Sequence, residues 1–171
     1  MVLNEEIVMR VHHTDVVVAP GIYRSLSTVY NNAYKAKAET VVTVVERALP
    51  ELKKLLVVSP GLHVRVAPIK ARDTAGRCNS SNLIEIDCRL RWDLALEVLA
   101  HEMVHAEQYH AGKLEMVYST RSGWVHYWEG TPFNEPKSYT KYRNLPWEKE
   151  AFGRQKELAD TVHQILDKKY Q

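Results

Sequence analysis

Apolar side chains recur at close to 3.6-residue intervals from Ile22 through Leu26, Val29, Tyr30, Ala33, Val41, Val44 and Val45 to Ala48, which predicts a long helix over the N-terminal third. Pro20 suits its first turn, and Pro50 is expected to kink or restart it before Leu52, Leu55 and Leu56 prolong the apolar face to a stop at Ser59-Pro60-Gly61. The period then becomes two. Leu62, Val64 and Val66 alternate with His63 and Arg65, and residues 83–87 (LIEID) alternate in the same way, so both read as half-buried strands. The polar stretch 73–82 between them reads as a loop. A helical period returns over residues 94–111, with Asp93 as N-cap and Gly112 as stop. Residues 115–133, rich in Val, Tyr, Trp and Thr and broken at Arg121-Ser122-Gly123, read as a hairpin. After a polar, Pro-bearing segment, Pro146 opens a final helix with one apolar stripe: Ala151, Phe152, Leu158, Ala159, Val162, Ile165 and Leu166.

These elements predict an α+β fold in one domain spanning residues 1–171. A small, mostly antiparallel sheet is expected to pack against the long N-terminal helix, the 94–111 helix and the C-terminal helix. A chain of 171 residues can close one core without disulfides, and no internal repeat or linker divides it. The net charge of +2, without a run of like charges, argues against nucleic acid as the main partner. The start, MVLNEEIVMR, lacks the features of a secretory signal, and the longest apolar runs, such as Val16 to Ala19 and Leu55 to Val58, are far too short to span a bilayer. Cys78 and Cys88 are too few for a disulfide framework, so free thiols in a reducing cytoplasm are expected.

The chemistry concentrates in His101-Glu102-Met103-Val104-His105. On a helix, residues four apart point almost the same way, so His101 and His105 can present two imidazoles to one metal ion, with Glu102 about 100° round from His101. Catalytic zinc takes three protein ligands and leaves a fourth position for water, whose proton a nearby carboxylate removes. Glu102 is the candidate general base. Leu96, Leu99, Ala100, Met103 and Ala106 fall on the opposite face, which predicts a helix buried on one side with the histidines toward a cleft. A third ligand must come from elsewhere. Glu148 shares the apolar stripe of the last helix, where an acid is costly unless something pairs with it. Glu150 points away from that stripe and reads as a solvated first-turn acid.

HEMVH followed by a helix beginning Trp147-Glu148-Lys149-Glu150-Ala151 resembles the gluzincin metallopeptidases, in which the first Glu of such a helix is the third zinc ligand. The segment from Tyr142 to Ala151 is also similar to the Y…PWExEA ending of small single-domain HExxH proteins of bacteria and their phages. The likeness covers residues 82–171. It implies a zincin-like fold, Zn2+ on His101, His105 and Glu148, and a peptide or protein substrate; the expected cytoplasm is the host's if the chain is phage-encoded. It departs from the pattern at Phe152, where many gluzincins carry an Asp that orients a histidine ligand. It also offers residues 83–87 as an edge strand for an extended substrate. His126 is the rival third ligand, as in SprT-like relatives. Tyr109, Tyr139 and Tyr142 are candidate donors to an oxyanion, Cys88 a further candidate ligand, and His110 is expected to be exposed. The expected function is that of a zinc peptidase using Glu102 as base. The alternatives are a catalytically inactive zinc-binding structural or regulatory protein derived from a peptidase, or a zinc hydrolase of non-peptide amides.

Overall fold

The computed structural model describes residues 16–18, 31–70, 74–121, 123–134 and 136–170. The elements run β1 (Val16–Val18), α1 (Asn31–Leu55), β2 (His63–Ala67), β3 (Gly76–Ser80), β4 (Leu83–Asp87), α2 (Trp92–His110), β5 (Leu114–Ser119), β6 (Gly123–Trp128), β7 (Thr131–Phe133), α3 (Tyr139–Arg143) and α4 (Pro146–Tyr170). The class is α+β. The start of the predicted first helix, from Pro20 to Tyr30, lies outside the described residues.

The helix α1 continues through Pro50 instead of restarting there. A proline inside a helix costs about 3 kcal/mol, but Val41, Val45, Ala48, Leu49, Leu52 and Leu56 are all buried on one stripe. Burying side chains of that size contributes about 1.5–3 kcal/mol each for the larger ones, which outweighs the proline.

Where one sheet was expected there are two. The first is four-stranded, in the order β1-β2-β4-β3, with β1–β2 and β2–β4 parallel and β4–β3 antiparallel. The second, β5-β6-β7, is antiparallel throughout. Val16–Val18, which reads in the sequence as a short apolar run, is the parallel neighbour of β2. Leu62, Val64 and Val66 are fully buried, as their alternation predicts; Ile84 and Ile86 are too, but β4 is not half-buried, because Glu85 and Asp87 are also inside with their arginine partners.

The strand β3 lies within the stretch read as a loop. Its sequence, GRCNS, has no hydrophobic alternation, and what holds it is register. Arg65, Glu85 and Arg77 stand in one row across β2, β4 and β3, and Glu85 accepts from both guanidiniums. This cross-strand charge row takes the place of an apolar one. It also makes β4 an interior strand, so residues 83–87 are not the sheet edge; β3 is.

At the end of β4, Asp87 accepts from the backbone N–H groups of Ile69 (3.1 Å) and Arg89 (2.8 Å) and pairs with the Arg89 side chain, fixing the turn into α2. Burial alone would raise its pKa, but these donors outweigh it and hold the carboxyl below its ordinary value. Arg91, not Asp93, is the N-cap of α2, and Asp93 sits in the first turn, paired with Arg91. The stop is as predicted. Gly112 has φ +67°, and the bonds Gly112 N–H to Tyr109 O and Lys113 N–H to Gln108 O close a Schellman motif.

The helix α2 packs along α4 and also touches α1, β3, β4 and β5. It is therefore buried on more than its apolar face: His101, Glu102, His105 and Gln108 are inside together with Leu96, Leu99, Ala100, Met103 and Ala106. Among the described residues, no helix is long and apolar enough to cross a membrane.

Candidate metal centre

Two helices supply the polar cluster. From α2, at helical spacing four, come His101 and His105; from the first turn of α4 comes Glu148, only 3% exposed. The Nε2 atoms of the two imidazoles are 3.1 Å apart. Glu148 Oε2 lies 3.3 Å from His101 Nε2, and Oε1 lies 3.4 Å from His105 Nε2. One potential ligand atom from each of the three residues falls within 4.8 Å of the others. The structure thus brings together the three residues offered as ligands in the sequence.

The position of Glu148 is set by the residue before it. Trp147 is buried, with its ring against His126 (centroids 5.5 Å apart, stacked), Phe133 (5.3 Å) and Trp128 (6.4 Å). The second sheet therefore clamps the start of α4, and the helical turn aims Glu148 at α2. His126 itself stands on β6 outside the three-residue cluster, stacked on Trp147.

Each imidazole is oriented by a glutamine that the sequence reading did not single out. His101 Nδ1 is 2.8 Å from Gln155 Oε1, and His105 Nδ1 is 2.9 Å from Gln108 Oε1. The Gln108 amide nitrogen donates to Trp147 O (3.1 Å) and Glu150 Oε2 (3.3 Å), so its oxygen is the atom left for His105. Nδ1 of His105 accordingly carries a hydrogen. Two signals for these residues exist in the sequence: Gln155 lies seven residues after Glu148, two turns along the same stripe, and Gln108 lies three residues after His105. Phe152, where an orienting Asp would stand in a gluzincin, instead packs its ring edge-on to His101 at 4.6 Å. Glu150 is not simply solvated; it receives Gln108 and pairs with Arg154, which also binds Glu107.

With Nδ1 of each ring directed at a glutamine oxygen, the Nε2 positions face each other and a carboxylate. Among the described residues Glu148 Oε2 is buried with no hydrogen-bond partner. Lone pairs converging with too few donors are satisfied by a proton on one imidazole or by a metal cation, and two imidazoles plus one carboxylate are a donor set that zinc accepts. The residues fit the ion. Burial works against ionising Glu148, but His101, His105 and Tyr142 outweigh it and hold the carboxyl down at about 2. Burial also works against a charge on His105, yet the Glu148 and Glu102 carboxylates raise its pKa above the ordinary value.

Glu102 stands one residue round the helix from His101. Burial raises its pKa, the two histidines oppose the shift, Glu148 adds to it, and the net direction is up. Its neighbour is the backbone of β3. A Cβ added at Gly76 would lie 2.9 Å from Glu102 Cγ and 2.6 Å from Val98 Cγ1, so only glycine lets the strand come this close. Gly76→Ala is expected to cost about 1–3 kcal/mol through overpacking and to push Glu102 from its place. A thermal melt of the variant indistinguishable from wild type would contradict this close approach.

A cavity of about 610 Å³ opens beside the cluster, and Glu102, His105 and Glu148 lie in its wall. Tyr109, Tyr139 and Tyr142 also line it, as do His126 and Cys78. Burial raises the pKa of Tyr109, Tyr142 and Cys78, with nearby carboxylates adding to the shift, so these groups face the cavity in neutral form. Cys88 is in the hydrophobic core instead, away from the cluster, and His110 is exposed. The chain matches no family model, no curated protein and no solved structure, which leaves the geometry of these side chains as the ground for a functional reading.

Proposed function

We propose that this chain is a zinc-dependent peptidase of zincin-like fold. The observation that carries the reading is the buried convergence of His101 Nε2, His105 Nε2 and a Glu148 oxygen that has no hydrogen-bond partner among the described residues, at the wall of an open cavity. His101, His105 and Glu148 would hold the ion. Bound there, zinc supplies Lewis acidity, which acidifies water and polarises a carbonyl oxygen.

The remaining work falls to the chain's own residues. Glu102 is in the cavity wall beside His105 and outside the three-residue donor set, so its carboxylate is available to take a proton from the attacking water and return it to the leaving amine. Gln108 and Gln155 fix the two imidazoles with their Nε2 atoms inward. The hydroxyl group of Tyr109, held neutral, is a donor in the wall of the same cavity, whereas that of Tyr142 is engaged with Glu148. A purely structural zinc site has use neither for an uncoordinated carboxylate beside it nor for a cavity that admits a ligand, and both features favour turnover over storage of the metal.

Protein purified without added metal is expected to carry about one zinc per chain. It is also expected to cleave unfolded polypeptides, with fragments read by mass spectrometry, to stop when zinc is chelated, and to resume when zinc is returned. A folded wild type that takes up no zinc would overturn the metal assignment, and zinc-loaded protein that leaves a broad peptide library intact would overturn the peptidase assignment.

A further inference from the structure

The second sheet presents one face to the cavity and continues beyond it. Side chains on alternate residues share a face, and directly paired residues on neighbouring strands share it too. The register Leu114↔Trp128, Met116↔His126 and Tyr118↔Trp124 therefore places Tyr118 and Trp124 on the face that carries Leu114 and His126, both of which line the cavity. Trp124 is two residues beyond His126, about 7 Å further out. The Tyr118 and Trp124 rings pack edge to face at 5.2 Å, yet remain 60% and 62% exposed. This exposed pair extends the apolar lining of the cavity along the same face of the hairpin.

Charge narrows what the covering partner is. Between Lys113 and Phe133 the acids and bases balance, Lys113 and Arg121 against Glu115 and Glu129, so the hairpin offers no field for an anionic surface or a nucleic acid. We propose that the cavity and the exposed end of this same face of β5–β6 form one continuous surface for an extended polypeptide segment. One large apolar side chain would enter the cavity, and further apolar residues of the same segment would lie on Tyr118 and Trp124. The choice of occupant rests on the peptidase reading, and it makes the substrate class an exposed, aromatic- or aliphatic-rich stretch of polypeptide, not a short peptide or a small amide.

Binding is measured without turnover, on full-length Glu102→Gln protein, by anisotropy of fluorescein-labelled decapeptides. One decapeptide carries Phe and Leu at alternate positions, the other Ser and Thr in their place. The apolar decapeptide is expected to bind, and Tyr118→Ser with Trp124→Ser to weaken it about tenfold. Tyr118→Phe with Trp124→Phe, which keeps two rings, should restore most of the loss. N-acetyl-phenylalanine amide, which reaches only the cavity, should bind the Ser variant and the parent equally. Equal binding of the two decapeptides, no effect of the Ser substitutions, or a Ser-sensitive attachment to phosphatidylcholine vesicles in place of the peptide would each overturn the proposal. If wild type cleaves peptides while the Ser variant binds and cleaves as well, this proposal fails and the peptidase reading stands. If the apolar decapeptide binds as expected but wild type cleaves nothing, the peptidase reading fails alone.

Discussion

Glu102→Gln is expected to leave the fold and the zinc content unchanged while lowering turnover about 10²–10⁴-fold, the range that a positioned general base contributes. The substitution is nearly isosteric, so the close approach of Gly76 to the side chain is preserved. What changes is proton affinity: an amide cannot take a proton from water at neutral pH. Because Glu102 lies outside the donor set formed by His101, His105 and Glu148, zinc stoichiometry by elemental analysis should match wild type. Unchanged kcat would remove Glu102 from the mechanism, and loss of zinc would move it among the ligands.

For Glu148→Ala the expectation is the reverse: metal goes first, and activity with it. The substitution leaves two imidazoles on α2 and nothing from α4. The loss of affinity should exceed the roughly 10–100-fold that removing a supporting hydrogen bond costs a metal site, which is the loss expected of Gln155→Ala. His126→Ala removes one of three rings packed on Trp147 and no donor, so it should weaken zinc far less than Glu148→Ala. Glu150→Ala should fall between, since Glu150 receives the Gln108 amide that orients His105. A competition titration against a chromogenic zinc chelator ranks the four variants. Equal affinities for Glu148→Ala and His126→Ala would refute the donor set.

The placement of His101, His105 and Glu148 was legible because each depends on local periodicity: four residues along one helix, and an acid on the apolar stripe of another. The same stripe argument failed for Glu150, whose environment is set by Arg154 and by Gln108 from another helix. The strand β3 was illegible for a related reason. Nothing in GRCNS signals a strand, and the charge row with Glu85 and the fit of Gly76 against α2 become visible only when distant segments are placed side by side. Sheet order is likewise a property of the assembled fold, so residues 83–87 looked like an edge although β3 returns to cover them. The glutamines could not be recognised until α4 was registered against α2, although Gln155 already shared the stripe of Glu148.

The donors come from α2 and α4, and between His105 and Glu148 the chain passes through β5, β6, β7 and α3. An ion held at this point would therefore fasten shut a loop of about forty residues, in the manner of a cross-link that forms only while the ion is present. Free zinc at a hundred times its dissociation constant would add about 2.7 kcal/mol to the folded state. That is a large fraction of what holds an ordinary domain together. The centre would then govern the lifetime of the protein as well as its chemistry: in a zinc-starved cell the metal-free chain would be both idle and easier to degrade, and its abundance would follow the zinc supply.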